Sequence, residues 1–388
     1  MTGTVDRTPV VITARRTPIG TAGHALAGVD LVGLLAPALR ALVDDLGPDA
    51  PAVDDVVIGN CMGPGGNPAR VAALAAGLGM GVPGLTVDRQ CGSGQEAVHQ
   101  GATAVLAGVA DLVLAGGAES ASTAPWRLAR PTTSTGLPTP YERAPFAPNE
   151  IGDPDMGPAA GAVAARCGVS RERQDAYASR SHRLALAAAG AGAFKEELVP
   201  IAGVVSDERP RRLTEAALAR MRPAFAPGGT VTAGNCCGVS DGAAAVAIVP
   251  AYLQEALGVP GLALRGWVCV GLDPNTPGLG PVPAVGKLLK DTGIGLDEVG
   301  VLEMTEAFAA QVLACTDALG LDPLGPDAAR VCPQGGAIAM GHPWGASGAM
   351  LLVRLFAQMV RVDGPRFGIA TCAIGGGQGL ALLAERVG

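Results

Sequence analysis

The first hydrophobic segments of the chain alternate between continuous apolar runs and apolar positions at helical spacing. A buried strand leading into a loop is predicted for PVVITARRTPIG (9–20), and helical spacing follows in DLVGLLAPALRALVDDLG (30–47). A second strand is predicted for VDDVVIGN (53–60). Because short strands and helices go on alternating, the pattern predicts an α/β fold with a largely parallel sheet.

Two stretches share one order of elements. Residues 91–120 and 345–379 each combine a glycine-flanked turn, a helix, a strand and a Gly-Gly turn. We interpret this as an internal duplication, with Cys91 and His342 at comparable positions at the starts of helices. The segment 121–229 breaks the alternation of strands and helices. It is rich in proline and arginine before its central predicted helix and loop-like after that helix, so we predict an insertion or lid.

These patterns predict three domains. The N-terminal half comprises 1–120 and 230–255, the inserted loop domain comprises 121–229, and the C-terminal half comprises 256–388.

Composition narrows the function classes. The 388 residues carry a formal charge of −7 and only 3% aromatic side chains, which disfavours nucleic acid as a partner. Neither a secretory signal nor a membrane span is predicted, and nine cysteines without regular spacing indicate reduced thiols, so we expect a cytoplasmic protein. No metal site is expected, because the four histidines do not fall at ligand spacing.

Cys91 and His342 are the candidate catalytic pair. Cys91 precedes a predicted helix whose N–H groups would lower the pKa of the thiol, and its glycine neighbours let a ligand approach. His342 lies between Gly341 and Pro343, which keeps its backbone out of a helix. Each residue alone could be structural, but a cysteine with a histidine is a common way to activate a thiol.

The glycine-rich turns AGGAES and IGGGQG match neither of the usual nucleotide-binding spacings. Their backbone N–H groups could instead stabilise an oxyanion, as acyl transfer requires.

Nearly the whole chain resembles the thiolase family of acyl-CoA acetyltransferases and 3-ketoacyl-CoA thiolases. The resemblance rests on motifs in one order, among them GNPAR, CGSG, GGAES, TEAFA, GGAIAMGHPWGASGA and IGGGQG. It implies two repeated α/β halves in a five-layered αβαβα fold, with the loop domain covering coenzyme A.

The resemblance also implies roles for individual residues. Cys91 would be the nucleophile and His342 its base, while acyl-CoA is a substrate and no cofactor is required. The turn at Gly375 and the position of Thr305 would support oxyanions. The positions that would line the pantetheine path are Met156, Phe225, Ala233 and Cys237.

Three departures from the family pattern concern the chemistry. Thr305 stands where the family has Asn or His before Glu-Ala-Phe, and Cys236-Cys237 replaces Ala-Ser. Ala373 occupies the position of the second catalytic cysteine, and Cys372 lies one residue earlier. If this segment is a strand, Cys372 points to the opposite face and serves packing.

The leading functional hypothesis is therefore an acyltransferase that forms an acyl thioester on Cys91 and passes the acyl group to an acceptor. Ordinary condensation or thiolysis is doubtful without a thiol at position 373. Two alternatives stay open: an acetyltransferase or thiolase with a substitute acid/base, and a non-catalytic CoA-binding partner protein. A homodimer is expected, with a tetramer left open.

Overall fold

The computed structural model describes residues 5–48 and 50–388. Its strands are β1 (Pro9–Arg16), β2 (Gly20–Thr21), β3 (Asp55–Gly59), β4 (Leu85–Val87), β5 (Val113–Ser120), β6 (Arg127–Ala129), β7 (Thr139–Tyr141), β8 (Ser240–Pro250), β9 (Gly261–Gly271), β10 (Val299–Met304), β11 (Phe367–Ile374) and β12 (Gln378–Val387). Its helices are α1 (Leu31–Leu46), α2 (Pro68–Ala75), α3 (Ser93–Leu106), α4 (Met156–Cys167), α5 (Arg171–Gly190), α6 (Glu215–Leu218), α7 (Ala251–Leu257), α8 (Pro281–Thr292), α9 (Ala309–Ala318), α10 (Ala337–Met340) and α11 (Trp344–Phe356).

The main sheet is mixed, so the expectation of a largely parallel sheet is wrong. Its strand order is β10-β11-β12-β9-β1-β8-β5-β3-β4, and only β3 with β4, β3 with β5, and β10 with β11 pair in parallel. β12 follows β11 after a three-residue turn, which forces an antiparallel pair, and β8 runs antiparallel to both its neighbours. The apolar strand runs that suggested a parallel sheet arise because helices cover both faces.

The strand order repeats between the two halves. In the first half it is β4-β3-β5-β8-β1, and in the second it is β10-β11-β12-β9. Val331 forms a parallel bridge with Leu302 of β10. This bridge corresponds in the second half to the pairing of β4 with β3 in the first half. The halves join where β1 meets β9 through only two residue pairs, Val10 with Ala263 and Val11 with Leu262.

Three buried apolar clusters fill the space between five layers, and the central cluster lies on both sides of the middle layer. The central cluster contains side chains of α3, α11 and both half-sheets, such as Val98, Leu352, Val246 and Leu382. One outer cluster packs α1 and α2 on the first half-sheet, and the other packs α8 and α9 on the second. The two half-sheets therefore enclose the α3 and α11 helices, which is the αβαβα order predicted.

The contact between α3 and α11 is closer than side chains would allow. A Cβ atom added to Gly94 would lie 2.7 Å from the carbonyl oxygen of Gly345, and one on Gly348 would lie 2.5 Å from the amide nitrogen of Gln95. Since real Cβ atoms do not approach backbone this closely, only glycine fits at these positions. The starts of the two helices are thereby held side by side.

The segment 121–229 contributes β6, β7, α4, α5 and α6 and adds no strand to the main sheet. A buried ion-pair network ties its end to the body: Glu197 contacts Arg16 of β1 and Arg354 of α11, and Asp207 contacts Arg16. All four side chains are almost fully buried, and removing one would leave an uncompensated charge in the interior. Within the described residues, no helix is long and apolar enough to cross a membrane.

Candidate active site

Cys91 lies on a sharp turn immediately before α3. Gln90 adopts a left-handed backbone conformation with φ of 49°, and its carbonyl oxygen accepts hydrogen bonds from Ser93 Oγ at 2.6 Å and Cys61 Sγ at 3.0 Å. These bonds fix an unfavourable conformation that a non-glycine residue rarely adopts. The turn holds Cys91 at the end of the central helix layer, where it is partly buried.

The Cys91 thiol faces two backbone N–H groups, its own and that of Gly375. The sequence argument expected a lowered pKa, and that expectation is wrong: burial raises the pKa of Cys91 to about 11, although both N–H groups act in the opposite direction. Desolvation of a thiolate outweighs two N–H dipoles when the group lies away from water. The thiol is therefore protonated at neutral pH and needs a base.

His342 is buried, with one ring nitrogen engaged and one available. Its Nδ1 lies 2.5 Å from Ser347 Oγ, and that hydroxyl lies 2.9 Å from the carbonyl oxygen of Pro343. Because Ser347 donates to the carbonyl, its oxygen accepts the Nδ1 proton, which leaves the Nε2 lone pair free. Among the residues described, Nε2 has no hydrogen-bond partner. Burial lowers the pKa of His342 to about 4, so the ring is a neutral base at physiological pH.

The backbone of His342 is fixed by the strand that follows the loop domain. Its N–H donates to the carbonyl of Gly238 at 3.1 Å and approaches Ser240 Oγ at 3.2 Å. Gly341 before it has φ of 117° and packs against Ser240, where a side chain would not fit. Cys91 and His342 each stand two residues before a central helix, so the close α3–α11 contact brings the two helix starts together.

Thr305 is buried beside this pair. Its N–H donates to Thr371 O at 3.1 Å, and within the described chain its hydroxyl oxygen has no hydrogen-bond partner. It lines a cavity of about 20 Å³ together with Ser347, Glu303 and Arg354. That volume can hold about one water molecule, and the polar groups that line the cavity could form hydrogen bonds with it.

Position 373 carries no group able to move a proton. β11 places Cys372 in the central apolar cluster with Ala370 and Ile374, whereas Ala373 points to the other face and is partly exposed. Cys372 is fully buried, as the alternation predicted, and burial raises its pKa.

Contacts connect the segments that carry the four predicted pantetheine positions, and we call these segments the pantetheine wall. Met156 begins α4, and the next residue, Gly157, leaves room for the ring of Phe225, which packs edge-on against Phe308 at 6.2 Å. Cys237 donates its N–H to Ala307 O at 2.9 Å, one residue before Phe308. Ala233 is exposed and follows Thr232, which forms an isolated antiparallel bridge with Pro223, two residues before Phe225. The wall combines residues from the loop domain and both halves.

Four residues that shape the site were not predicted. Ser347 orients His342, and the ring of Phe146 covers Gly375. Glu119 accepts the N–H groups of Cys61, Met62 and Gly345, and Glu306 accepts hydrogen bonds from Tyr177 and Ser181.

Three of the four unpredicted residues lie inside family motifs: Glu119 in GGAES, Glu306 in TEAFA and Ser347 in GHPWGASG. A carboxylate or hydroxyl side chain within such a motif could have indicated them from the sequence. No sequence motif indicated the role of Phe146.

All nine cysteines have free thiols. In the part of the chain that the structure describes, no three His, Cys, Asp or Glu side chains form a group able to hold a metal ion.

Comparisons with known proteins identify relatives across the full chain. The family models "Thiolase, N-terminal domain" and "Thiolase, C-terminal domain" match residues 9–252 and 259–386. An acetyl-CoA acetyltransferase of Pseudomonas aeruginosa is 42% identical, covering 97% of this chain and 99% of the relative. The putative acetyl-CoA C-acetyltransferase YhfS of Bacillus subtilis is 40% identical, covering 97% and 98%. The crystal structure of the Bacillus anthracis acetyl-CoA acetyltransferase matches with a TM-score of 0.89 and 34% identity, covering 99% of this chain and 100% of that one.

Replacing Ser347 with Ala is expected to slow alkylation of Cys91 by iodoacetamide about tenfold at pH 7, because the imidazole loses the contact that selects the tautomer with a free Nε2. In the wild type, the alkylation rate should fall as the pH drops through about 4, because a protonated His342 cannot take the thiol proton. The rate should rise above neutral pH, because the Cys91 thiol with pKa about 11 then begins to ionise. The rate is measured by intact-protein mass spectrometry with peptide mapping.

Thr103→Ala is the matched control. Its hydroxyl bonds a carbonyl four residues earlier in α3, just as Ser347 does in α11, but the residue lies away from His342. Equal rates in Ser347→Ala and Thr103→Ala would contradict the orienting role of Ser347.

Proposed function

The chain belongs to the thiolase family of acyltransferases, and on that premise we propose that it forms an acyl thioester on Cys91 from acyl-CoA and passes the acyl group to an acceptor. One observation carries the proposal: the His342 ring is held by Ser347 through Nδ1 and keeps Nε2 free, beside a helix start that bears a thiol and two convergent N–H groups. A pocket without turnover would need none of these arrangements.

In the first half-reaction, Cys91 attacks the thioester carbonyl while His342 takes its proton. A thiol with pKa about 11 beside a histidine with pKa about 4 rests as a neutral pair, so the proton moves only as the sulfur attacks. The carbonyl oxygen gains negative charge and is stabilised by the N–H groups of Cys91 and Gly375. His342 then returns the proton to the departing CoA sulfur.

Acyl-CoA reaches Cys91 along the wall formed by Met156, Phe225, Ala233 and Cys237. The aromatic pair Phe225–Phe308 offers an apolar surface for the pantetheine arm, and Cys237 is adjacent to the residue that anchors His342. Coenzyme A is then a substrate.

The second half-reaction depends on the acceptor. A carbon acceptor must lose a proton from the carbon next to its carbonyl, and Ala373 offers no base at the position where the family has a thiol. Thr305 has a single hydroxyl for an enolate oxygen. An amine, alcohol or thiol acceptor needs no carbanion and fits these residues better.

A second candidate is carbon–carbon bond formation or cleavage through a substitute acid/base. The names of its relatives favour it, since the proteins of Pseudomonas aeruginosa and Bacillus subtilis are called acetyl-CoA acetyltransferase and acetyl-CoA C-acetyltransferase.

We further propose a homodimer that pairs through the edge of the first half-sheet. Among the described residues, β4 is hydrogen-bonded on one side only, by β3, and an unpaired edge is a template for another strand. Apolar side chains surround it: Met80 is 90% exposed, and Leu74 and Leu85 are also exposed. Burying this surface against a second copy would remove it from water.

The acyl thioester is tested by intact-protein mass spectrometry after mixing with acetyl-CoA. The wild type should gain one acetyl group on Cys91, Cys91→Ala should gain none, and His342→Ala should react about 10²- to 10⁴-fold more slowly because the positioned base is lost. Cys372→Ala is the control and should acylate normally, since that thiol is buried in the core. An adduct that persists in Cys91→Ala, or maps to Cys237 or Cys372, would refute the assignment.

The second half-reaction is tested by following the enolate absorbance of acetoacetyl-CoA on addition of CoA. We expect little thiolysis by the wild type and an increase of about 10²-fold in Ala373→Cys, which places a thiol on the open face of β11. Cys372→Ala should change nothing. Strong wild-type thiolysis would establish the second candidate and the presence of a substitute acid/base.

The dimer is tested by light scattering at micromolar concentration, where a mass of two chains is expected. Met80→Asp should shift the mass toward one chain, because a charge would be buried at the edge. Val109→Asp, at an exposed apolar position outside this edge, should leave it unchanged. A monomeric wild type would rule out the proposal.

A further inference from the structure

A group of cationic and donor side chains lies beside the segment that anchors the catalytic histidine. It consists of Arg209, Arg211 and His182, which we call the arginine cluster. The guanidinium of Arg209 lies directly over Gly238, where even a Cβ atom would overlap it. Gly238 is the residue whose carbonyl accepts the N–H of His342, and it follows Cys237 of the pantetheine wall.

Two donors of the cluster lack acceptors within the described chain, whereas the Arg211 guanidinium donates to the carbonyl of Arg209 at 3.4 Å. Arg209 Nε and His182 Nε2 are buried and, among the described residues, have no hydrogen-bond partner. His182 Nδ1 faces the N–H of Arg211 at 3.4 Å and acts as an acceptor, so a neutral ring carries its proton on the unpartnered Nε2. Its pKa is lowered to about 4 by burial, with Arg211 and Arg209 adding to the effect, which keeps the ring neutral.

The two arginines repel each other and lack a counter-charge. Burial lowers the pKa of Arg211, and the charge of Arg209 lowers it further. In the described chain, no carboxylate lies within ion-pair distance of Arg209 or Arg211. Arg211 is exposed and Arg209 is partly buried, so two like charges beside buried donors favour an anion that binds between them.

The nearest acids in the chain are committed elsewhere. Asp207 makes two hydrogen bonds to Arg16 and one to the N–H of Ile19. Glu208 accepts the N–H of Thr21 and pairs with His24 at 3.3 Å. Their carboxylates therefore do not neutralise the cluster, although they precede Arg209 directly.

We propose that the arginine cluster binds a carboxylate carried by the acyl group, so that the preferred substrates are CoA thioesters of dicarboxylic acids. The assignment rests on the proposed acylation of Cys91. Guanidinium groups bind carboxylates through paired, charge-assisted hydrogen bonds, and Arg209 is placed to do so. Its contact with Gly238 puts the bound anion near the thioester, whereas the phosphates of CoA lie at the far end of the pantetheine arm.

The chemistry of acylation is unchanged by this assignment. Cys91 sulfur bonds the carbonyl carbon, the bond from that carbon to CoA sulfur breaks, and the proton of Cys91 passes through His342 to the departing sulfur. The distal carboxylate takes no part in these steps and only positions the acyl chain.

The test compares rates of Cys91 acylation by succinyl-CoA and by butyryl-CoA, which has an uncharged chain of the same carbon number. The wild type should react at least about tenfold faster with succinyl-CoA. Arg209→Met should slow the succinyl reaction about 10- to 100-fold, the usual effect of losing a charged hydrogen bond, and should leave the butyryl reaction within about twofold. The unchanged butyryl rate also shows that the variant is folded.

Arg212→Met is the matched control, since Arg212 is exposed and is not among the groups that lower the pKa of His182. Both of its rates should equal those of the wild type. Equal wild-type rates for succinyl-CoA and butyryl-CoA would overturn the proposal while leaving acylation of Cys91 intact.

Two further outcomes would overturn the carboxylate assignment in different ways. If Arg209→Met slows both thioesters equally, and the effect disappears with dephospho-CoA thioesters, the cluster binds a CoA phosphate and the carboxylate assignment is wrong. If neither thioester modifies Cys91, the proposed function itself fails, and the assignment of the cluster fails with it.

Discussion

The site depends on the backbone contact between α3 and α11. Gly94, three residues after Cys91, packs on Gly345, three residues after His342, at a distance that excludes any side chain. Glu119 adds a second restraint, because its carboxylate accepts N–H groups from Gly345 and from Cys61 beside the nucleophile turn. Two helices from two halves of the chain therefore start side by side, and each carries one member of the proposed catalytic pair.

Burial in that central layer also sets the chemistry. The same removal from water raises the pKa of Cys91 to about 11 and lowers that of His342 to about 4, so the resting site holds a thiol and a neutral imidazole. The N–H groups that face the sulfur cannot overcome this cost, yet they are placed to stabilise charge that develops on a bound carbonyl. We therefore expect the thiol to stay protonated and unreactive until a thioester binds.

The groups that we propose to set specificity lie on two sides of Cys91 and His342. On one side, β11 presents Ala373 and hides Cys372, which removes a thiol from the open face. On the other, the return from the loop domain brings Cys237 and Gly238 to His342 and places the arginine cluster against them. The proposed acyl transfer is thus combined with unusual groups on both sides of Cys91 and His342.

The sequence by itself determined the duplicated α/β organisation, the family, and the candidates Cys91 and His342, because these follow from local patterns and motifs that do not depend on distant contacts. It also predicted that Cys372 is buried, since strand alternation is a local rule. The mixed sheet, the raised pKa of Cys91, the orienting hydroxyl of Ser347 and the grouping of Arg209, Arg211 and His182 were decided only by the tertiary structure. Each depends on which distant segments share a layer and how much water they exclude, and no local pattern encodes that.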